Sequence, residues 1–184
     1  MKLAVIFPGI GYHVDKPLLY HAKKLAREAG YEIREVPYGN FPSNVKGNKE
    51  LMRKAFESAI AQSREILKDV KWDEYESVLF VMKSVGTAVG AAYAKEKSIK
   101  ADMLIFTPVE ETFQFLEKGC GVVFSGTADP WVESEIVKDN CIKLALPLHL
   151  IKAANHSLEI GDAMADLSIL YDVIRLSREY VESL

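Results

Sequence analysis

Short apolar runs alternate along the chain with longer stretches in which apolar residues recur every three or four positions. The first pattern is typical of strands buried on both faces, and the second of amphipathic helices. The runs predict six strands, at residues 2–7, 31–37, 77–82, 101–107, 121–125 and 148–153. The helical spacing predicts helices at 17–29, 49–68, 132–142 and 163–182, and a further helix that follows the third strand and ends at 97.

The helix predicted at residues 163–182 has both a capping signal at its start and an apolar stripe along its length. Asp162 stands where an N-cap is expected, directly before the first helical residue. We expect its apolar stripe to consist of Leu167, Leu170, Tyr171, Ile174 and Val181.

Regular alternation of strands and helices indicates an α/β fold, a three-layer sandwich whose six-stranded, mainly parallel sheet is covered on both faces. No repeat, low-complexity tract or long linker divides the chain, so we expect a single domain over residues 1–184. Ligands of such sheets bind at the carboxyl ends of the strands. The informative loops therefore begin near Pro8, Lys83, Thr107, Ser125 and Ala153.

Composition narrows the classes of function and of partner. The 184 residues are 49% hydrophobic and 27% charged with a net charge of −3, so no basic surface for nucleic acid is expected. No apolar run approaches the roughly 20 residues of a membrane span, and the first run is too short for a signal peptide. Two cysteines, Cys120 and Cys141, form no disulfide framework. We expect a cytoplasmic protein; the composition leaves its oligomeric state open.

Ser84 lies where the third apolar run breaks and small, helix-compatible residues follow. A sharp strand-to-helix turn would expose this serine at the sheet edge, beside the free N–H groups of a helix N-terminus. Gly86 supplies the second glycine of the G-x-S-x-G pattern, but Met82 replaces the first. The same turn could also be free of chemistry or form part of a phosphate-binding loop.

Two further loops carry an acid and a base. Asp129 follows the fifth predicted strand and His156 follows the sixth, so the order along the chain is Ser…Asp…His. That order is the one an α/β-hydrolase triad requires. Taken alone, Asp129 could instead cap a helix and His156 could lie in a surface turn.

Taken together, these segments resemble those of the α/β-hydrolase superfamily, and the whole chain looks like a small member without a lid. The matching segments are Phe7–Gly11, Lys83–Thr87, Gly126–Pro130 and Ala154–Glu159. The resemblance implies the strand order 2-1-3-4-5-6 and a short segment, open to solvent, after the fourth strand. The sequence departs from the family at Met82, at Pro8 where many members have histidine, and in lacking the family's first two antiparallel strands.

The resemblance also implies roles for these residues. Ser84 would be the nucleophile, His156 the general base, and Asp129 the group that orients and stabilises the imidazole. The backbone N–H groups of Ile10 and Val85 would form the oxyanion hole. The candidate pocket residues, for which ordinary turn, surface or core positions are the alternative, are Gly9, Gly11, Tyr12, His13 and Trp131.

The function expected from these roles is a serine hydrolase that cleaves a small ester, thioester or related acyl compound through an acyl-enzyme. No metal and no cofactor is expected, because no His, Cys, Asp and Glu residues have metal-ligand spacing. We expect the ammonium of Lys83 to contact solvent or a nearby carboxylate.

Two alternatives follow from the departures and from the glycine-bearing loops. A non-catalytic binding protein of the same fold would keep Ser84 and His156 beyond hydrogen-bonding distance. A nucleotide-binding protein would use residues 8–11 or 84–90 as its phosphate loop, although neither G-x-x-x-x-G-K-[ST] nor G-x-G-x-x-G is present.

Overall fold

Strands and helices alternate throughout the computed structural model, which describes residues 1–41, 44–45 and 47–184. The strands are β1 (Lys2–Phe7), β2 (Tyr31–Glu35), β3 (Ser77–Lys83), β4 (Asp102–Phe106), β5 (Gly121–Gly126) and β6 (Leu148–Ile151). The helices are α1 (Pro17–Glu28), α2 (Lys49–Ile66), α3 (Val85–Lys97), α4 (Ser134–Lys143) and α5 (Ala163–Glu182). Short 3₁₀ turns lie at Trp72–Glu74 and Glu110–Gln114.

The six strands form one sheet in the order β2-β1-β3-β4-β5-β6, and every neighbouring pair is parallel. The expected fold class and strand order are therefore confirmed. One apolar cluster joins the sheet to residues of α2, α3 and α4, and a second joins the opposite face to residues of α1 and α5. No helix in the described ranges is both long enough and apolar enough to cross a bilayer.

The two outer strands end two residues earlier than the apolar runs predict. β2 stops at Glu35, because Pro37 has no N–H group with which to extend the ladder. β6 stops at Ile151, since the chain turns at Ala153, where φ is 59°. Both endings shorten a strand at an outer position of the sheet and leave the central strands as predicted.

The predicted apolar stripe of α5 is wrong in part. The fully buried positions are Val173, Ser177 and Val181, whereas Leu167 and Tyr171 are 58% and 69% exposed. Spacing of four places these buried residues on one line, along which the helix packs on α1 and on the apolar cluster that includes Val122 and Phe124 of β5. Two of the five residues predicted for the stripe, Leu167 and Tyr171, lie outside that line and face outward.

Strand register brings the functional loops to one edge of the sheet. Phe7 pairs with Met82, Lys83 with Phe106, and Phe106 with Phe124, so β1, β3, β4 and β5 end at nearly the same level. The segment between β4 and β5, residues 107–120, contains only the second 3₁₀ turn and therefore carries no lid.

Met82 is accommodated by a glycine elsewhere on the neighbouring helix. Its side chain is fully buried between the sheet and α3, in the space opposite Gly90. A Cβ atom at Gly90 would lie 2.5 Å from the Met82 sulfur and 3.0 Å from the Phe7 ring. The small residue that lets helix and strand approach thus stands on the helix here, and the large one stands on the strand.

Because of this packing, we expect Gly90→Ala to change the free energy of unfolding in the direction opposite to the usual one. A glycine-to-alanine change inside a helix normally stabilises by about 1 kcal/mol. Here we expect destabilisation by about 1–3 kcal/mol, because the new methyl group overpacks a filled core. Urea unfolding measures the effect. In a Met82→Ala background the same change should cost less, and stabilisation by Gly90→Ala alone would contradict the packing argument.

Candidate active site

Ser84 occupies a sharp turn between β3 and α3. Its backbone has φ 56° and ψ −128°, a region that residues with a side chain rarely occupy. The turn is held by the Ser84 N–H, which donates to the Phe106 carbonyl at 3.1 Å, and by the Thr87 hydroxyl, which donates to the Ser84 carbonyl at 2.6 Å. Packing fixes the turn further, since a Cβ atom at Gly86 would lie 2.3 Å from the Phe7 carbonyl oxygen.

The loop after β1 lies directly against Ser84. Gly9 and Tyr12 exchange backbone hydrogen bonds of 3.0 and 3.3 Å, which places Ile10 and Gly11 at the tip of a tight turn. Gly11 has φ 75°, a value that favours glycine at this point of a turn. A Cβ atom at Gly9 would be 3.0 Å from the Cβ atom of Ser84. Glycine at position 9 therefore allows the loop to approach the serine closely.

Val85 and Ile10 lie on either side of this approach. Val85 is the first residue of α3, and the amides of a first helical turn have no acceptor within their own helix. Ile10 precedes Gly11 in the turn, a position whose N–H is not used by the turn's own hydrogen bonds. Their use as oxyanion donors remains a prediction.

Asp129 is held in a defined orientation below the imidazole of His156. Its carboxylate is fully buried, and each of its two oxygens has a partner. Oδ1 accepts from the Trp131 N–H at 2.9 Å, and Oδ2 lies 2.7 Å from Nδ1 of His156. With Oδ2 accepting from Nδ1–H, the other ring nitrogen is left as an acceptor.

His156 connects the carboxylate with the serine. Its Nε2 lies 2.7 Å from Oγ of Ser84, and its side chain is 16% exposed. The indole of Trp131 stacks on the imidazole with ring centres 5.1 Å apart and an angle of 19° between planes. The structure therefore brings together the three side chains that the sequence proposes as nucleophile, base and acid.

Backbone contacts hold the Asp129 and His156 loops together. A Cβ atom at Gly126 would lie 2.1 Å from the Ala154 carbonyl oxygen, so the two loops pass each other at a distance that only glycine permits. Ala128 N–H donates to the same carbonyl at 3.0 Å. The carboxylate and the imidazole are thus carried by two segments that are fixed against each other.

No protein-family model matches the chain, and no curated protein matches it. Several solved structures do match. A structure of an α/β serine hydrolase homologue from Coxiella burnetii has a TM-score of 0.63 and 14% identity, over 97% of this chain and 84% of that one. Est1E from Butyrivibrio proteoclasticus has a TM-score of 0.65 and 14% identity, over 98% and 88%. An α/β serine hydrolase without a lid from Xanthomonas campestris has a TM-score of 0.60 and 13% identity, over 99% and 81%.

The chain has the α/β-hydrolase fold. The resemblance to a small member without a lid is confirmed at the level of the fold. At 13–14% identity, the likeness shows the fold alone.

Within this fold, Lys83 does not behave as expected. Its ammonium faces neither solvent nor a neighbouring carboxylate, because the residue is only 1% exposed. Nζ donates to the Thr107 hydroxyl at 2.5 Å and to the main-chain carbonyl of His156 at 2.7 Å. It also lies 4.8 Å from the centre of the Tyr12 ring. The expectation failed because the side chain continues the alternation of Leu79 and Val81 into the core.

Burial changes the protonation of Lys83. Desolvation lowers the pKa of Lys83 from its ordinary value of 10.5 to about 7, although the negative charges of Asp129 and Glu159 act in the opposite direction. The charge of this lysine therefore changes near neutral pH.

The remaining candidate pocket residues have mixed placements. Tyr12 lies under Lys83, its hydroxyl accepts from the Leu18 N–H at 3.2 Å, and burial raises its pKa to about 12. His13 is exposed, and its Nδ1 accepts from the Asp15 N–H at 3.3 Å within a local turn. Contact of Gly9, Gly11, Tyr12, His13 or Trp131 with a substrate remains a prediction.

The contact between Thr107 and Lys83 was not predicted from the sequence. Thr107 has φ 42°, is fully buried, and joins Lys83 to the end of β4. The signal available in the sequence was a polar pair, Lys83 and Thr107, each ending an otherwise apolar central strand.

A cavity of about 630 Å³ lies at the amino ends of β3, β4 and β5, where Ser77, Asp102 and Cys120 are among its lining residues. This is the edge of the sheet opposite to Ser84. Its size alone therefore does not connect it with the serine, the imidazole or the carboxylate.

The lowered pKa of Lys83 predicts a pH-dependent term in the free energy of unfolding. Between pH 7 and 10.5 the unfolded chain holds a proton on Lys83 that the folded chain does not, so stability from this group rises with pH in that window. The penalty for burying the ammonium is fully present below pH 7. The slope is at most about 1.4 kcal/mol per pH unit.

Urea unfolding of the wild type and Lys83→Met, at intervals from pH 6 to 10, measures this term. The free energy of the wild type should rise relative to that of Lys83→Met above pH 7. The exposed Lys118→Met variant should run parallel to the wild type. A difference between wild type and Lys83→Met that does not vary with pH would mean that the folded state keeps an ordinary pKa at Lys83.

Proposed function

We propose that this protein is a serine hydrolase that cleaves a small ester, thioester or related acyl compound through an acyl-enzyme. One observation carries the proposal: an unbroken line of contacts runs from Asp129 Oδ2 to His156 Nδ1, and from His156 Nε2 to Ser84 Oγ, with both distances 2.7 Å. A serine hydroxyl is a weak nucleophile until an adjacent base removes its proton.

In the first half of the proposed reaction, Ser84 Oγ attacks the substrate carbonyl carbon while His156 Nε2 takes the hydroxyl proton. Asp129 stabilises the imidazolium that forms. The N–H groups of Val85 and Ile10 donate to the oxyanion, each lowering the barrier by roughly 3 kcal/mol. His156 then protonates the leaving group, and the bond between that group and the acyl carbon breaks.

In the second half, His156 takes a proton from water, and the resulting hydroxide attacks the acyl carbon. The tetrahedral intermediate collapses, the bond to Ser84 Oγ breaks, and His156 returns the proton to the serine. Carboxylic acid and free enzyme are the products. The short segment between β4 and β5 leaves this edge of the sheet uncovered, which supports a site that small acyl compounds enter directly from solvent.

The solved neighbours support an acyl substrate in one further respect. Est1E from Butyrivibrio proteoclasticus has also been solved with ferulic acid bound. A carboxylic acid is the class of product that an ester hydrolase releases. For this chain we propose only that the product is a carboxylic acid. A cytoplasmic location and a single domain over residues 1–184 also stay predictions.

The non-catalytic alternative predicts separated side chains. The 2.7 Å between His156 Nε2 and Ser84 Oγ weighs against it, because this distance is that of a normal hydrogen bond. The strained backbone at Ser84 weighs in the same direction, since a turn without chemistry has no need of it.

Replacing the nucleophile should abolish turnover. We expect Ser84→Ala to lower kcat about a million-fold with short-chain p-nitrophenyl esters and acyl thioesters, and His156→Ala to act similarly if the triad works as a unit. A fluorophosphonate probe should add one adduct to the folded wild type by intact mass, and peptide mapping should place it on Ser84.

Ser125→Ala is a matched control. Ser125 is a buried serine at the end of β5, and its hydroxyl has no hydrogen-bond partner among the described residues. This variant should label and turn over like the wild type. Absence of an adduct on folded wild-type protein, together with equal turnover by Ser84→Ala, would remove the proposal and leave only the fold.

A further inference from the structure

Lys83 is a buried cation for which the proposed reaction has no direct use. It immediately precedes Ser84 in the chain. Its side chain lies on the same face of the sheet as Leu79 and Val81, the face covered by α1 and α5. Among the described residues, no carboxylate lies within 4 Å of its Nζ. A buried ammonium without an ion partner is costly, so its retention in a central strand calls for a specific role.

The contacts of Lys83 join three segments that meet at the carboxyl edge. Nζ donates to the hydroxyl of Thr107 at the end of β4 and to the carbonyl of His156 after β6. It also lies 4.8 Å from the ring centre of Tyr12, in the loop after β1. The charged and the neutral forms of this amine both carry N–H groups that can donate to these two oxygens. The Lys83 side chain therefore fastens the backbone of His156 to the centre of the sheet.

The His156 segment is tied to the loop after β5, where the Ala154 carbonyl accepts from the Ala128 N–H at 3.0 Å, and it needs a further anchor to be fixed relative to β3. The turn is closed locally by Asn155, whose side-chain oxygen accepts from the N–H groups of Ser157 and Glu159. These bonds shape the turn but do not connect it to β3. Of the contacts described, the bond from Lys83 ties the main chain of His156 directly to the strand that carries Ser84.

We propose that Lys83 is a positioning residue that fixes the main chain of His156, and through it the distance between Nε2 and Ser84 Oγ. This inference rests on the proposed serine hydrolase function. The two ends of the histidine are then set separately: Asp129 and Trp131 orient the ring, and Lys83 holds the backbone from which the ring projects.

A displacement of the histidine backbone acts directly on the reacting atoms. A shift of about 1 Å in a catalytic group can reduce a rate about 100-fold, because proton transfer needs hydrogen-bonding distance. Substrate binding does not depend on that distance in the same way. Loss of the anchor should therefore lower kcat while leaving KM nearly constant.

Lys23 provides a matched control. It is also a buried lysine, 5% exposed, and its ammonium also has two partners, Glu35 at 2.6 Å and Asp15 at 3.2 Å. Its bonds join α1 to neighbouring segments and do not touch Ser84, Asp129 or His156. Lys23→Met thus removes a buried, doubly bonded ammonium from the same protein without releasing the histidine.

The test compares wild type, Lys83→Met, Lys83→Gln and Lys23→Met by kcat per active site, KM, rate of fluorophosphonate labelling and melting temperature. Active sites are counted by complete labelling, and activities are measured well below the lowest melting temperature. We expect Lys83→Met to lower kcat and the labelling rate about 10- to 100-fold, with KM within about twofold. Lys83→Gln, which retains an N–H donor, should recover part of the loss.

The remaining outcomes separate positioning from stability. Lys23→Met should lower the melting temperature without changing kcat per active site. Thr107→Val keeps the shape of its side chain but leaves Lys83 with the His156 carbonyl alone, and its kcat should lie between those of the wild type and Lys83→Met. If Lys83→Met does not fold, Lys83→Gln and Thr107→Val decide.

Wild-type kcat and labelling rate in the folded Lys83 and Thr107 variants would overturn the positioning role, even with Ser84→Ala inactive. Full activity of Ser84→Ala would instead overturn the hydrolase proposal from which this inference starts. The two failures are therefore distinguishable in the same set of assays.

Discussion

The close approach of the start of α3 to the end of β1 is the constraint on which the carboxyl edge depends. Gly86 makes it possible, because any Cβ atom there would collide with the carbonyl oxygens of Phe7 and Pro8, at 2.3 and 2.4 Å. The approach brings the loop after β1 against Ser84 and places the first amides of α3 beside that loop. Backbone geometry, more than any side-chain contact, thus determines where the first amides of α3 lie relative to the Ser84 hydroxyl.

Close packing of α3 on the sheet also explains how the turn between β3 and α3 accommodates Met82. A glycine before the serine is one way to let a helix lie close to a strand, since the strand then presents no side chain to it. In this chain the strand presents a methionine, and the space it fills is left open by Gly90 on α3. The large residue stands on the strand and the small one on the helix, an arrangement that dense core packing accepts.

The sequence was sufficient for the architecture and for placing three candidate side chains at one edge, because both follow from periodicity and order. Ser84, Asp129 and His156 each lie in the turn or loop after an apolar run, so parallel topology brings them to one edge, while their catalytic roles stay predictions. The burial of the Lys83 side chain and the exposure of Leu167 and Tyr171 on α5 could not be predicted from periodicity and order. Alternation along β3 assigns Lys83 to a buried face, but its charge argues for solvent, and only the contacts of the folded chain decide between them.

For α5 the difficulty is one of coverage. Periodicity shows that Leu167 and Tyr171 share a face with buried residues, but it does not show how much of that face the neighbouring layer reaches. The buried line of Val173, Ser177 and Val181 is narrower than the apolar pattern of the sequence, so part of that pattern stays exposed. Such helices are predicted correctly in extent, as Ala163–Glu182 was, and incorrectly in orientation.

The choice of lysine at position 83 has a physical reason beyond hydrogen bonding. In the proposed acyl transfer, the imidazolium formed at His156 would be repelled by a permanent positive charge held against its own backbone. An arginine at this position would remain charged at all relevant pH values. Burial lowers the pKa of Lys83 to about 7, and a neutral amine still has N–H groups with which to hold the Thr107 hydroxyl and the His156 carbonyl. A buried lysine would therefore keep the proposed positioning role while giving up the charge that would oppose the proposed reaction.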